Sequence, residues 1–220
     1  MISRHTFTFL HELNLHNDRA WFEENRGRYE STRREFTEFV TQVIHKIAAF
    51  DSELNTLQPK DCIFRLNRDI RFSNDKRPYK TNYGAGFNAG GKKANTAGYY
   101  LHIEPGKSFA GGGLWMPPAE DLSKLRQEID YNLADFEKIL KDKKFITSFP
   151  DGLETYDMLK RPPKGYEADN PAIEYLKRKS FTVSRMLSDE EVVDPGFLKQ
   201  LTGLYKSLSP FTSFLNEAIR

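Results

Sequence analysis

Residues 64–82, FRLNRDIRFSNDKRPYKTN, mark the point where the chain changes its periodicity. Upstream of them apolar residues recur at helical spacing. From Ile63 onward they alternate, with Phe64, Leu66, Ile70 and Phe72 on one side and Arg65, Asn67, Asp69 and Arg71 on the other. This pattern predicts a strand from Ile63 to Phe72, with a bulge or an edge near Arg68, which interrupts the apolar row. The same stretch is strongly basic. Arg65, Arg68, Arg71, Lys76, Arg77 and Lys80 stand against only Asp69 and Asp75, a local +4 that leaves −2 for the rest of a chain whose net charge is +2. Charge focused in this way suits an anionic ligand better than a general coat of polyanion.

Upstream, Ser3 reads as the N-cap of a helix whose stripe is Phe7, Leu10 and Leu13. Asn17 or Asp18 starts a short helix with Trp21 and Phe22, and a longer amphipathic helix is expected from about Tyr29 to Phe50. Downstream, YGAGFNAGG, GYYLHIEPG and KSFAGGGLW read as three strands joined by short turns, which implies mainly antiparallel pairing. Pro117 and Pro118 close the sheet and open a helix, followed by a second helical segment carrying Phe136, Ile139, Leu140 and Phe145. NPAIEYLKRK predicts a short helix, SFTVSRML a last strand, and 195–219 two closing helices split by Pro210.

The order of helices, then sheet, then helices predicts an α+β fold, with a central mainly antiparallel, or mixed, sheet flanked by N- and C-terminal helices. One domain over 1–220 is expected, with helices in 1–58, the sheet-forming region in 59–116, and a helical region with one added strand in 117–220. With 220 residues, 38% hydrophobic content and 13% aromatics, the chain can bury a substantial core despite its 29% charged residues. One cysteine, Cys62, excludes an internal disulfide and any multi-cysteine metal site. The opening MISRHTFTFLHELNL lacks the apolar core of a secretory signal, and no stretch is long enough to cross a bilayer. These features read as a cytoplasmic protein with no membrane partner.

Two rows of polar side chains are expected on one sheet face. The first is Arg65, Asn67, Asp69 and Arg71; the second is Tyr100, His102 and Glu104, opposite Tyr99, Leu101 and Ile103. Arginine forks match carboxylate or phosphate, and a histidine beside a carboxylate is a candidate general acid or base. His102, Glu104 and Asp69 are therefore the candidate catalytic residues. Arg65, Asn67, Arg68, Arg71, Asp75, Lys76, Tyr79 and Lys80 are the candidate ligand contacts. The opposing reading is a solvated ladder, in which Arg65 pairs with Asp69 and each cross-strand pair contributes about 0.2–1 kcal/mol. A second lead is AGGGLWMPP, where Gly112, Gly113 and Trp115 precede a helix start whose N–H groups can hold an anion. The plainer explanation is that the glycines admit a close neighbour, such as Trp115. No Walker loop, zinc motif or nucleophile elbow is present, so neither a cofactor nor a metal is expected.

FRLNRDIRFSNDKRPYKTNYGAGF, GYYLHIEPGKSFAGGGLWMP and DNPAIEYLKRKSF, together with the opening FLHELNLHNDRAWFEENRGRYE, resemble an uncharacterised, mostly bacterial conserved family catalogued as a domain of unknown function (family 2461). The resemblance spans nearly the whole chain. Its signature falls on Arg65, Asn67, Arg68, Asp69, Arg71, Asp75, Lys76, Tyr79, Lys80, His102, Glu104 and Gly111–Trp115, so it implies a location for a site and supplies no reaction. Three roles stay open at this point. They are a binding protein or enzyme for a small anionic or phosphorylated ligand, a nucleic-acid-binding protein that stacks bases on Tyr79 or Trp115, and a non-catalytic structural or interaction domain whose arginines are held in internal ion pairs.

Overall fold

A computed structural model describes residues 1–71 and 74–220. Helix α1 (Arg4–Leu15) follows Ser3, whose hydroxyl caps nothing; its N–H donates instead to Glu35 Oε1 at 2.7 Å. Asp18 caps α2 (Arg19–Glu24) by accepting from Trp21 N–H, and α3 (Arg26–Ala48) buries Phe36, Phe39, Val40, Val43, Ile44 and Ile47 along one stripe. A single 3₁₀ turn (Ser52–Leu54) and the short α4 (Pro59–Cys62) then lead to the basic segment.

Of the strand predicted from Ile63 to Phe72, the described residues 63–71 form no continuous strand. Ile63 bridges Ala85 and Asn67 bridges Tyr79, each as an isolated antiparallel contact. Phe72 lies outside the described residues. The chain turns back on itself: Arg68 N–H donates to the Pro78 carbonyl, and Lys80 N–H to the Leu66 carbonyl. Pro78 has no N–H to return, so this short ladder stops at Arg68. The alternation survives without the strand, because Leu66 is buried while Arg65, Asn67, Asp69 and Arg71 are exposed.

The sheet has four antiparallel strands in the order β1 (Tyr83–Asn88), β2 (Gly98–Ile103), β3 (Ser108–Leu114) and β4 (Phe181–Leu187). Register places Tyr100 opposite Gly86 and Gly111, and Gly98 opposite Asn88 and Gly113. Between β3 and β4 lie α5 (Ala119–Tyr131), α6 (Leu133–Leu140), α7 (Lys143–Ser148) and α8 (Ile173–Leu176). After β4 come α9 (Asp189–Val193), with a complete Ser188/Glu191 capping box, and α10 (Phe197–Ile219). Among the described residues, no helix is long and apolar enough to cross a membrane.

The two closing helices expected around Pro210 are one. Pro210 is exposed and lacks the N–H that would reach the Lys206 carbonyl, and Ser209 Oγ donates to that carbonyl instead at 3.1 Å. Leu201, Leu204, Tyr205 and Leu208 before the proline, and Phe211, Thr212 and Leu215 after it, are all buried, so packing holds the helix continuous.

Helices α3 and α10 cover one face of the sheet. Phe36 stacks on Tyr83 at 5.2 Å, Phe39 on Phe197 at 5.5 Å, and Tyr205 packs on Tyr99 at 5.1 Å. Tyr205 Oη also donates to the Tyr100 carbonyl at 2.8 Å. Asn216 ties α10 to the β1–β2 connection through both its amide groups, to the carbonyl and N–H of Ala97. The approach of α10 to β3 is so close that a Cβ at Gly112 would run into the Gly98 carbonyl oxygen and lie 2.8 Å from Leu208 Cδ2. The neighbours that the glycine admits are therefore the β2 backbone at Gly98 and Tyr99, and Leu208, not Trp115.

Gly112→Ala is expected to lower the free energy of unfolding by about 2–3 kcal/mol in urea titrations. Gly27→Ala, at a helical position with open space around it, is expected to raise it by about 0.5 kcal/mol. Equal effects at the two positions would show that α10 does not depend on the close contact.

Candidate functional site

Among the described residues no helix covers the other face of the sheet, and several of the residues that face it from β1, β2 and β3 are glycines. Gly86, Gly98, Gly111 and Gly113 supply no side chains, so they leave a groove of about 720 Å³ along this face. Phe64, Tyr100 and Phe109 wall one part of it. Lys92, Lys93, Asn95 and Thr96 of the β1–β2 connection line a second, and Trp115, Glu154, Tyr156, Thr182 and Ser184 line the third, beside β4. Irregular segments fence both sheet edges. At β1, Phe64 N–H donates to the Gly84 carbonyl; at β4, Glu154 N–H donates to the Thr182 carbonyl. Arg178 props the second segment, because its Nη1 donates to the Leu153 and Glu154 carbonyls.

The expected histidine–carboxylate pair is assembled. His102 Nε2 lies 2.9 Å from Glu104 Oε2, and Thr81 Oγ1 donates to Glu104 Oε1 at 2.9 Å. An ionised carboxylate only accepts, so Nε2 carries the hydrogen and Nδ1 of the neutral ring is the acceptor. Tyr100 Oη and Asn82 Nδ2 approach Nδ1 at 3.3 and 3.4 Å, long contacts that leave room to tighten around a ligand. The His102 ring is stacked on Phe109 at 4.8 Å and does not itself line the groove; Tyr100 and Phe109 do. Burial raises Tyr100 above the usual phenol range, and the Glu104 charge adds to this, so the hydroxyl is protonated at neutral pH. Burial pushes the Glu104 carboxyl up, but the hydrogen bonds from His102 and Thr81 outweigh it and hold its pKa below 4.5.

The arginines divide. Arg68 and Arg77 both reach Asp75, each at 2.7 Å from Oδ2, and Arg71 forks onto Asp69 at 2.9 and 2.7 Å. These contacts hold the Asp69 and Asp75 carboxyls low, and they occupy Asp69, which makes no hydrogen bond to His102. Lys76 donates to the Ile70 carbonyl. Tyr79, expected to be open to a ligand, is buried: it stacks on Phe22 at 4.1 Å, and its peptide is clamped at both ends by Asn17. Asn67 is exposed at its bridge. Lys80 is half-buried with its Nζ 5.5 Å over the Phe64 ring; neither Lys80 nor Arg65 makes an ion pair among the described residues, although the Arg65 charge helps to hold Asp69 low. Burial, and then Arg65 and Arg68, lower the Lys80 pKa.

Gly112, Gly113 and Trp115 line the groove, but the glycines belong to the β3 ladder and α5 starts only at Ala119, so their N–H groups do not form a helix-terminal anion nest. Lys177 and Lys179 pair with Glu174 and Asp157. Among the groove residues that the sequence did not single out are Glu154 and Tyr156, which sit in a segment without periodicity, and Lys92 and Lys93 of the β1–β2 connection. The polar alternation of Thr182 and Ser184 on β4 is a signal that could have pointed to the Glu154 side of the sheet.

Glu104→Gln is expected to cost about 1 kcal/mol at pH 7. A carboxylate with a lowered folded pKa contributes stability above its unfolded value and loses it as pH falls, so the wild-type advantage shrinks below about pH 4.5. Urea titrations at pH 7 and pH 3.5 check this, and an undiminished difference at the lower pH would contradict it.

No curated protein and no solved structure matches the chain. One family model, described as Conserved hypothetical protein (DUF2461), matches residues 5–214, a span that holds all four strands, the groove and the His102–Glu104 pair. On that match the chain belongs to the DUF2461 family.

Proposed function

We propose that this protein binds a small anionic ligand in the glycine-floored groove and transfers a proton to or from it through Tyr100, His102 and Glu104. The observation that carries the reading is Lys80. It is half-buried, faces Arg65 and Arg68, has no carboxylate partner among the described residues, and lies over Phe64, which is itself a wall of the groove. Two cations held together against partial burial are unfavourable alone and favourable once an anion joins them. Arg65 and Lys80, which do not themselves line the groove, are then the anion contacts at its Phe64 rim, with Lys93 lining the groove further along. Arg68, Asp75 and Arg77 form the scaffold of the loop, and Asp69 with Arg71 forms a separate pair.

His102 reaches the groove through Tyr100. Tyr100 gives its hydrogen to Nδ1 in one state and takes one back in the other, while Glu104 stabilises the imidazolium in between. Acid/base work at a phosphorylated or carboxylated substrate is the reaction class this arrangement supports. A nucleic-acid interface is weaker on two counts: Tyr79 is buried, and Arg68, Arg71 and Arg77 are engaged by Asp69 and Asp75, which offset two of their three charges.

A thermal-shift series with inorganic phosphate, nucleoside monophosphates and dicarboxylates tests the anion site. Lys80→Met is expected to raise Tm slightly in anion-free buffer, by relieving a buried charge, and to abolish the anion-induced shift. An anion-induced shift that persists in both Lys80→Met and Arg65→Ala would overturn the reading, as would a panel that shifts nothing.

A further inference from the structure

The end of the groove beside β4 has the opposite character, and we propose that it is a subsite for a small organic cation, an ammonium or guanidinium group on the ligand. This rests on the reading of the groove as a ligand site. The subsite is built around one carboxylate. Ser184 Oγ donates to Glu154 Oε1 at 2.6 Å, and Thr182 Oγ1 and Tyr156 Oη donate to Oε2 at 2.6 and 2.9 Å. Each hydroxyl has one hydrogen, and all three are used inside the cluster: Tyr156 Oη also lies 3.0 Å from Thr182 Oγ1, so one of that pair gives its hydrogen either to the other hydroxyl or to Oε2. What remains is acceptor capacity, on the hydroxyl oxygens and at the unused position of Oε1, around a carboxylate.

No cationic side chain neutralises that charge. Among the described residues Glu154 has no ion pair: Arg178 donates to backbone carbonyls, and Lys179 pairs with Asp157. The carboxylate is only partly exposed and keeps its three hydroxyl donors, so it is held in place as well as charged. Two aromatic rings border it. Trp115 is 61% exposed and Tyr156 42%, with centroids 4.9 Å apart, and both line the groove. Ring faces attract cations, most of all indole, and rings this open are otherwise an unfavourable exposure of apolar surface. An acceptor-only, anionic, aromatic-flanked cleft rejects phosphate or carboxylate and accepts a donor-rich cation. Lys92 and Lys93 line the groove at the β1–β2 connection, and Lys80 lies over its Phe64 wall without lining it, so the groove is polarised, and the ligand it fits carries an anionic group at one end and a cationic group at the other.

The test uses the full chain and two isosteric probes, L-arginine and L-citrulline, both acetylated at the α-amino group, so that the charge of the side-chain head is the one cationic difference between them. Ligand-detected NMR titration is expected to show arginine binding at least about tenfold more tightly than citrulline. Glu154→Gln, which keeps the shape and two acceptor positions, is expected to remove the difference, and Trp115→Ala to weaken arginine binding severalfold. Because Trp115 is exposed, that variant tests the subsite without threatening the fold. Equal binding of the two probes, or arginine binding unchanged in both variants, overturns the cation subsite. If the phosphate shift that depends on Lys80 is present while arginine and citrulline do not differ, only the subsite fails; if no probe of either kind binds, the groove reading fails with it.

Discussion

The contact between α10 and β3 at Gly112 is the constraint on which the rest of the molecule depends. The helix lies so near the strand that Leu208 occupies the volume a side chain at Gly112 would need, and Tyr205 reaches past its own ring packing to the carbonyl of Tyr100. This seating commits α10 and α3 to one face of the sheet, where Tyr83, Phe87, Tyr99 and Leu101 meet them in a core without exposed atoms of any size. Nothing is left to cover the other face. Glycines along three strands keep that face low, and the two edge segments, 63–71 and 154–159, rise on either side of it. The groove is thus a consequence of how the core is closed.

The two edge segments also set the chemistry. At the β1 edge the chain brings six cations, three of which contact Asp69 or Asp75, and it leaves Lys80 over the Phe64 wall with no ion pair among the described residues. At the β4 edge it brings a carboxylate, which it surrounds with hydroxyl donors but no cation. Charges left partly buried without a counter-ion weaken a fold, and their usual place is a site that a ligand completes. The His102–Glu104 pair lies behind Tyr100 and Phe109, with the Tyr100 hydroxyl 3.3 Å from His102 Nδ1 and the Phe109 ring stacked on the imidazole.

Much of this was legible in the residues. Alternation placed His102 and Glu104 with Tyr100, opposite Tyr99, Leu101 and Ile103, and the pairing of β1, β2 and β3 followed from their short connections. Helical spacing located α3 within three residues at either end. Alternation misled at 63–72, because it records which residues are buried, not what they are hydrogen-bonded to: Leu66 is buried, but its carbonyl accepts from Lys80 in a local turn-back. Pro210 misled for the opposite reason. A missing N–H is a local cost, and the buried residues on both sides of it, with Ser209 taking up the free carbonyl, outweigh that cost.

By itself, the sequence determined the class of fold, the two faces of each strand and the concentration of positive charge in 65–80, because these depend on period and composition, which are local properties. Only the tertiary structure decided which of those charges are free. Arg71 with Asp69, and Arg77 with Asp75, are two residues apart and could have been paired on paper, yet the isolation of Lys80 above Phe64 depends on the chain turning back at Pro78. The placing of Glu154 among Thr182, Ser184 and Tyr156 depends on a segment some 30 residues distant lying along β4. Long-range contacts of this kind have no periodic signature, since what fixes them is the space left by everything else that has packed.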